Sequence, residues 1–190
     1  MNKKHRIFIA INLPPEIKKD FSNYEKRFSS LPAKWTPRDN LHVTLLFIGD
    51  VTETELGEVC LAAKEVAERH EALEINLNKV DYGPDEKIPP RYLWVSGQKT
   101  KELVDLKNDL QNAIEGKVNV KIDGKFALHV TLARINTMEW RGIEPEERPE
   151  VNENVDLSFS VESIEVMESV LKKSGPEYTV IESFELGQLF

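Results

Sequence analysis

The pentapeptide LHVTL occurs at residues 41–45 and again at 128–132, placing His42 and Thr44, then His129 and Thr131, in two otherwise apolar runs. Side chains alternate along a strand, so each His–Thr pair points to one face and the flanking Leu and Val to the other. The Leu–Val face suits a core packed on helices. The His–Thr face then looks onto something polar. A lone strand histidine is more often structural, and threonine is favoured in strands anyway. Two identical insertions at matching points need one explanation.

Two imidazoles and two hydroxyls in one cleft suit phosphoryl chemistry. Imidazole titrates near neutral pH, so one ring can hold a proton while the other does not. Displacement at phosphorus keeps nucleophile and leaving group in line, and a twofold-related pair of histidines supplies a base at one end and an acid at the other. The threonine hydroxyls would donate to non-bridging oxygens. Zinc is the competing chemistry, but no His or Cys spacing supplies a third ligand. Asp50 and Asp123 lie near the motifs in sequence, with nothing directing them inward. No metal or other cofactor is expected. His5 and His70 read as solvated, the latter at a helix C-terminus.

The elements that must position the motifs follow a repeated order. RIFIAIN (6–12) reads as a strand, and a helix over 14–30 carries the stripe Ile17, Phe21, Tyr24, Phe28. The first motif then opens a strand ending at Gly49. Thr52 to Glu55 reads as a capping box opening a helix, followed by an alternating strand over 73–78. RYLWVSG (91–97) is a strand, and residues 100–116 form a helix with Thr100 as N-cap and Gly116 at its C-terminus. A short strand is expected at 118–122, the second motif lies in a strand over 126–135, and 137–154 reads as an exposed loop. Residues 157–168 alternate with a slip at Glu162–Ser163 that reads as a bulge, and 178–186 is the last strand.

Strand, helix, then strand with LHVTL therefore occurs twice, with 34 residues from Phe8 to His42 and 36 from Leu93 to His129. An internal duplication with pseudo-twofold association would bring the two histidines together. A chain of 190 residues fits one bilobal domain over 1–190. The net charge of −8 argues against nonspecific coating of nucleic acid, though not against a small anion in a locally basic pocket. Cys60 is alone, so no internal disulfide forms and a reducing, cytoplasmic location is the simplest reading. The apolar run after MNKKHR is too short for a signal peptide or a membrane span. A monomer is the default.

At HVTL (42–45) and HVTL (129–132) the sequence resembles the two-histidine phosphoesterase superfamily, and more narrowly the RNA 2′,3′-cyclic phosphodiesterases, first named 2′-5′ RNA ligases. RIFIAINLPPEI, LHVTLLFIGDV, YLWVSG and SGPEYTVIESFEL are similar to further family segments, so the resemblance covers most of the chain. It implies an α+β fold of two lobes, each an antiparallel sheet flanked by helices, around a central cleft. It also implies metal-independent hydrolysis of RNA or nucleotide 2′,3′-cyclic phosphate ends to 2′-phosphates. By position His42 would protonate the leaving 3′-oxygen, His129 would activate water, Thr44 and Thr131 would hold phosphate oxygens, and Arg134 would pair with the phosphate. Strand alternation, however, puts Arg134 opposite the His129 face. Tyr178 and Phe8 match family positions and read equally as nucleotide contacts or as core. Leu128 stands where the family commonly has proline, and Leu46 where it commonly has lysine, which removes a positive charge near the cleft. Reversible 2′-5′ joining of RNA ends with the same residues, and RNA-end binding without turnover, are the alternative functions.

Overall fold

The computed structural model describes residues 4–84, 88–122, 125–173 and 175–187. Asp123 lies outside them. In chain order the elements are β1 (Lys4–Asn12), α1 (Pro15–Ser22), α2 (Tyr24–Arg27), β2 (Ala33–Trp35), β3 (His42–Thr52), α3 (Glu53–Ala67), β4 (Leu73–Gly83) and β5 (Tyr92–Gly97). There follow α4 (Lys101–Ile114), β6 (His129–Ile135), α5 (Thr137–Arg141), β7 (Asn152–Val161), β8 (Ser163–Lys172) and β9 (Gly175–Glu185). Among the described residues no helix is long and apolar enough to cross a membrane.

The strands form one antiparallel sheet in the order β7-β4-β5-β6-β3-β1-β8-β9, with β2 on β6. The fold is α+β, but the two halves share a continuous sheet rather than holding one each. They join where β3 meets β6, at the pair Val43–Val130. Beyond that pair β3 turns away and β2 takes over the edge of β6, through Trp35–Ala133, Lys34–Arg134 and Ala33–Ile135. The wedge between the diverging strands is the cleft.

The duplication is written in the register. Asn12–His42, Ile11–Val43, Ala10–Thr44, Ile9–Leu46 and Phe8–Phe47 pair across β1 and β3. Ser96–His129, Val95–Val130, Trp94–Thr131, Leu93–Ala133 and Tyr92–Arg134 pair across β5 and β6. Both sets skip one residue after the motif threonine, Leu45 in one half and Leu132 in the other. Each is a β-bulge, which shifts the alternation by one. The halves also exchange strands: β4, which follows the first motif, pairs with β5, while β8, which follows the second, pairs with β1.

Helices pack on the sheet face away from the motif side chains. Leu103, Leu106, Leu110 and Ile114 of α4 are fully buried, as are Val59, Ala62, Ala63 and Val66 of α3. The capping box is present: Thr52 Oγ1 accepts from the Glu55 amide at 3.3 Å, and the Glu55 carboxylate accepts from the Thr52 amide at 2.8 Å. Thr100 caps α4 through the Leu103 amide, and Gly116 follows its end with φ of 86°.

Several expectations are corrected. The helix expected over 14–30 is two, broken at Asn23, although Ile17 and Phe21 are buried as its stripe requires. Residues 118–122 are not a strand. Val118 and Ile122 anchor in the core, while the Asn119 amide bonds the Glu55 carboxylate at 2.8 Å instead of a neighbouring strand. The second motif strand begins at His129, not 126. The expected loop over 137–154 contains α5, capped by Asn136 and held by buried Trp140, a 3₁₀ turn at Pro145–Glu147 and the start of β7. The slip at Glu162 is no bulge. It separates β7 from β8, which serve opposite halves of the sheet. One residue joining them requires the sheet to curl until its halves meet there.

The capping box generates a prediction. Thr52→Ala should lower the free energy of unfolding by about 1 kcal/mol in urea titrations at neutral pH. Hydrogen bonds from Thr52 and Asn119 hold the Glu55 carboxyl near 2, down from 4.5. Its contribution is therefore complete above pH 4.5 and fades as pH falls toward 2, so the gap between wild type and Glu55→Gln should close over that range. An unchanged urea midpoint in Thr52→Ala contradicts this account.

Candidate active site

The two motif histidines begin their strands, and each bonds backward. His42 Nδ1 lies 2.6 Å from the carbonyl of Asn40, and His129 Nδ1 lies 2.8 Å from that of Ala127. A carbonyl only accepts, so in both rings Nδ1 carries the hydrogen and Nε2 is left for chemistry. The tautomer is thus set locally, by the same bond to the residue two places earlier in each half.

The antiparallel register around Val43–Val130 sets His42 opposite Thr131 and Thr44 opposite His129. The two histidines are then diagonal neighbours, a relation that sets residues about 7–8 Å apart with their Cβ atoms somewhat closer, and the charge of His129 acts on His42. That spacing leaves room for one phosphate with a hydrogen bond on either side. His42, Thr44, His129, Thr131 and Arg134, the five expected residues, all line one cavity of about 570 Å³.

Arg134 reaches the cavity because of the bulge at Leu132. Unbroken alternation would have turned it away, but Leu132 and Ala133 are both buried and Arg134 is exposed on the motif side. The same bulge at Leu45 puts Phe47 at the matching place in the first half, so the position occupied by arginine in one half holds an aromatic ring in the other.

The surroundings of the two rings differ. His42 sits against Phe8 at 5.1 Å between centroids and meets the edge of Tyr178 at 5.3 Å. Its Nε2 is 2.9 Å from Thr44 Oγ1. His129 lies nearly parallel to Trp94, with 3.9 Å between centroids and 26° between planes. The Trp94 indole lies so close over Gly83 that a Cβ there would collide with it. Burial lowers the pKa of both histidines. The Asn40 and Ala127 carbonyls oppose this, and His42 is lowered further by the charges of His129 and Lys18. His42 therefore senses the proton of His129.

Tyr178 lines the cavity, whereas Phe8 is core, 3% exposed beneath it. Sequence reasoning missed Trp94, though its alternation with Tyr92 and Ser96 in YLWVSG marks it as facing His129. It also missed Lys34, Trp35 and Asn40, which line the cavity from β2 and the turn before β3; a three-residue strand leaves no periodic signal. His5 is not solvated. It is buried between Glu168 at 2.8 Å and Glu53 at 2.9 Å, tying β1 to β8 and α3. His70 bonds Asp109 of α4 at 2.9 Å. Asp50 is exposed, and among the described residues no group of three His, Cys, Asp or Glu side chains is placed to hold a metal ion.

Residues 9–94 match the family model described as LigT-like phosphoesterase. Over 164 residues the chain is 31% identical to the RNA 2′,3′-cyclic phosphodiesterase of Aquifex aeolicus, covering 81% of this chain and 82% of that one. The crystal structure of TT0787 of Thermus thermophilus matches with a TM-score of 0.82 at 27% identity, over 96% of this chain and 99% of that one. E. coli LigT complexed with 3′-AMP matches in fold with a TM-score of 0.77 at 23% identity, over 98% of this chain and 100% of that one.

In the ligand-free protein, NMR titration should place the midpoints of His42 and His129 below the ordinary 6.5. In His129→Ala the His42 midpoint should rise, because a like charge and part of the burial are removed. A His42 midpoint at or above 6.5 in the wild type, or one indifferent to residue 129, contradicts the shared cleft.

Proposed function

This chain belongs to the LigT-like phosphoesterase family, and from that premise we propose that it hydrolyses RNA or nucleotide 2′,3′-cyclic phosphate ends to 2′-phosphates by paired-histidine acid–base catalysis. The observation that carries the reading is the opening of His42 and His129 onto one cavity, each ring with its Nδ1 tied to a carbonyl.

His129 Nε2 takes a proton from water as the water attacks phosphorus. His42, protonated, gives its Nε2 proton to the departing 3′-oxygen. Each transfer contributes about 10²–10⁴-fold. Thr44 and Thr131 donate to the non-bridging oxygens, and substrate displaces Thr44 from its resting bond to His42. Arg134 offers a guanidinium fork to the phosphate. Trp94 holds the His129 ring flat and favours it as a cation once it has taken the proton. Product formation leaves His129 protonated and His42 neutral, so exchange with solvent resets the pair. The protein works as one bilobal domain, a cytoplasmic monomer needing no metal. Hydrolysis, the activity named for the relatives, is favoured over end joining and over binding without turnover.

End-group analysis tests the reading. Wild type should convert a 2′,3′-cyclic phosphate oligonucleotide to 2′-phosphate ends with EDTA present, and His42→Ala and His129→Ala should each lose at least a hundredfold in rate. Full activity in either variant overturns the mechanism. The pH profile of kcat/KM should be a bell: its acid limb is protonation of His129, its basic limb loss of the His42 proton. With both pKa values lowered in the free protein, the peak should lie below pH 6.5. The bound phosphate anion raises both, so kcat should peak at higher pH than kcat/KM. A flat profile contradicts the assignment.

A further inference from the structure

Outside the catalytic cavity, on the His42 side, the sheet shows a second surface that the chemistry above does not use. Phe47, Phe8, Met167 and Val180 form one cross-strand row over β3, β1, β8 and β9. The middle two are 3% exposed, packed with Tyr178, while Phe47 at 46% and Val180 at 44% lie open. Directly paired residues share a face, so this row lies on the side of His42 and Thr44, away from α3.

Arg6 completes the surface. Its guanidinium lies over the Phe47 ring, 5.2 Å from the centroid. No hydrogen bond or ion pair engages that guanidinium among the described residues. Asp50 stands across the strand from Arg6 without pairing to it. Arg6 is also close enough for its charge to act on the Tyr178 phenol, which lines the cavity. An exposed aromatic face beside a cation with free donors is the combination that binds single-stranded nucleic acid, one stacking a base and the other pairing a phosphate.

Position supplies the occupant. On the reading given under the proposed function, on which this inference rests, the leaving 3′-oxygen and its ribose face His42. A 5′ extension of that ribose that leaves the cavity past Tyr178 runs along β1 and β3 toward this surface. Phe47 lies three residues beyond Thr44, about 10 Å along the strand. We propose that Phe47 and Arg6 form a subsite for the nucleotide immediately 5′ of the cyclic phosphate terminus, Phe47 stacking its base and Arg6 pairing its phosphate. The protein then prefers single-stranded RNA ends over mononucleotides, in spite of its net negative charge.

The experiment compares adenosine 2′,3′-cyclic phosphate with a trinucleotide ending in the same group, using wild type, Phe47→Ala and Arg6→Ala. Wild type should show the lower KM for the trinucleotide. Each variant should raise that KM about tenfold with kcat unchanged, and leave the mononucleotide constants as they were. The Arg6→Ala variant should also show a weaker salt dependence on the trinucleotide. Equal KM for the two substrates in wild type, or variants that alter both alike, overturns the subsite. Hydrolysis of neither substrate by wild type would instead contradict the phosphodiesterase reading. The subsite is then decided by fluorescence anisotropy with a labelled trinucleotide 2′-phosphate. Weaker binding in both variants supports it, and wild-type affinity in either overturns it.

Discussion

The pairing of Val43 with Val130 is the contact on which the cleft depends. Neither half of the chain holds a complete set of groups, since each supplies one imidazole and one hydroxyl. The antiparallel register at that single pair crosses the two sets, so that His42 faces Thr131 and Thr44 faces His129. Had β3 and β6 continued to pair, their motif faces would form an unbroken sheet surface with no cavity. Because β2 displaces β3 from the edge of β6 within a few residues, the surface opens into a cleft. The buried leucines and valines of both motifs anchor the strands from the other face and fix the side on which the histidines emerge.

Within that frame the electrostatics follow from proximity. At a separation of about 7 Å and an effective dielectric near 20, two imidazolium charges repel by roughly 2 kcal/mol, less where water screens them. One proton on the pair is therefore favoured over two, which is the state an acid and a base acting together require. Backbone carbonyls of Asn40 and Ala127 fix both tautomers without a side chain, so Thr44 has only its resting bond to His42 Nε2 to give up when phosphate binds. The asymmetry lies outside the motifs, where Trp94 faces His129 and Tyr178 edges His42. A symmetric pair of motifs is thus set to unlike tasks by unlike neighbours.

Much of this was legible in the residues. The doubled motif, the strand–helix–strand order and the capping box at Thr52 are local patterns, and local patterns survive folding. Arg134 shows where legibility stops. Alternation alone turned it the wrong way, because a bulge is decided by the partner strand, which is distant in sequence. The switch between β7 and β8 at Glu162 failed for the same reason: one long alternating run is divided between two halves of the sheet. Trp35 and Lys34 were invisible because β2 is three residues long and exists only through its pairing with β6. His5 looked solvated from its place near the terminus, yet two carboxylates from distant elements hold it in the interior.

The central claim is that two rings flank one phosphorus. A crystal structure with a nucleoside vanadate, which adopts the five-coordinate geometry of in-line displacement, tests it most directly. The account predicts His42 Nε2 and His129 Nε2 within hydrogen-bonding distance of opposite apical oxygens, with Thr44 and Thr131 on equatorial ones. Both rings on the same side of the vanadium, or either ring turned away from it, would contradict the account.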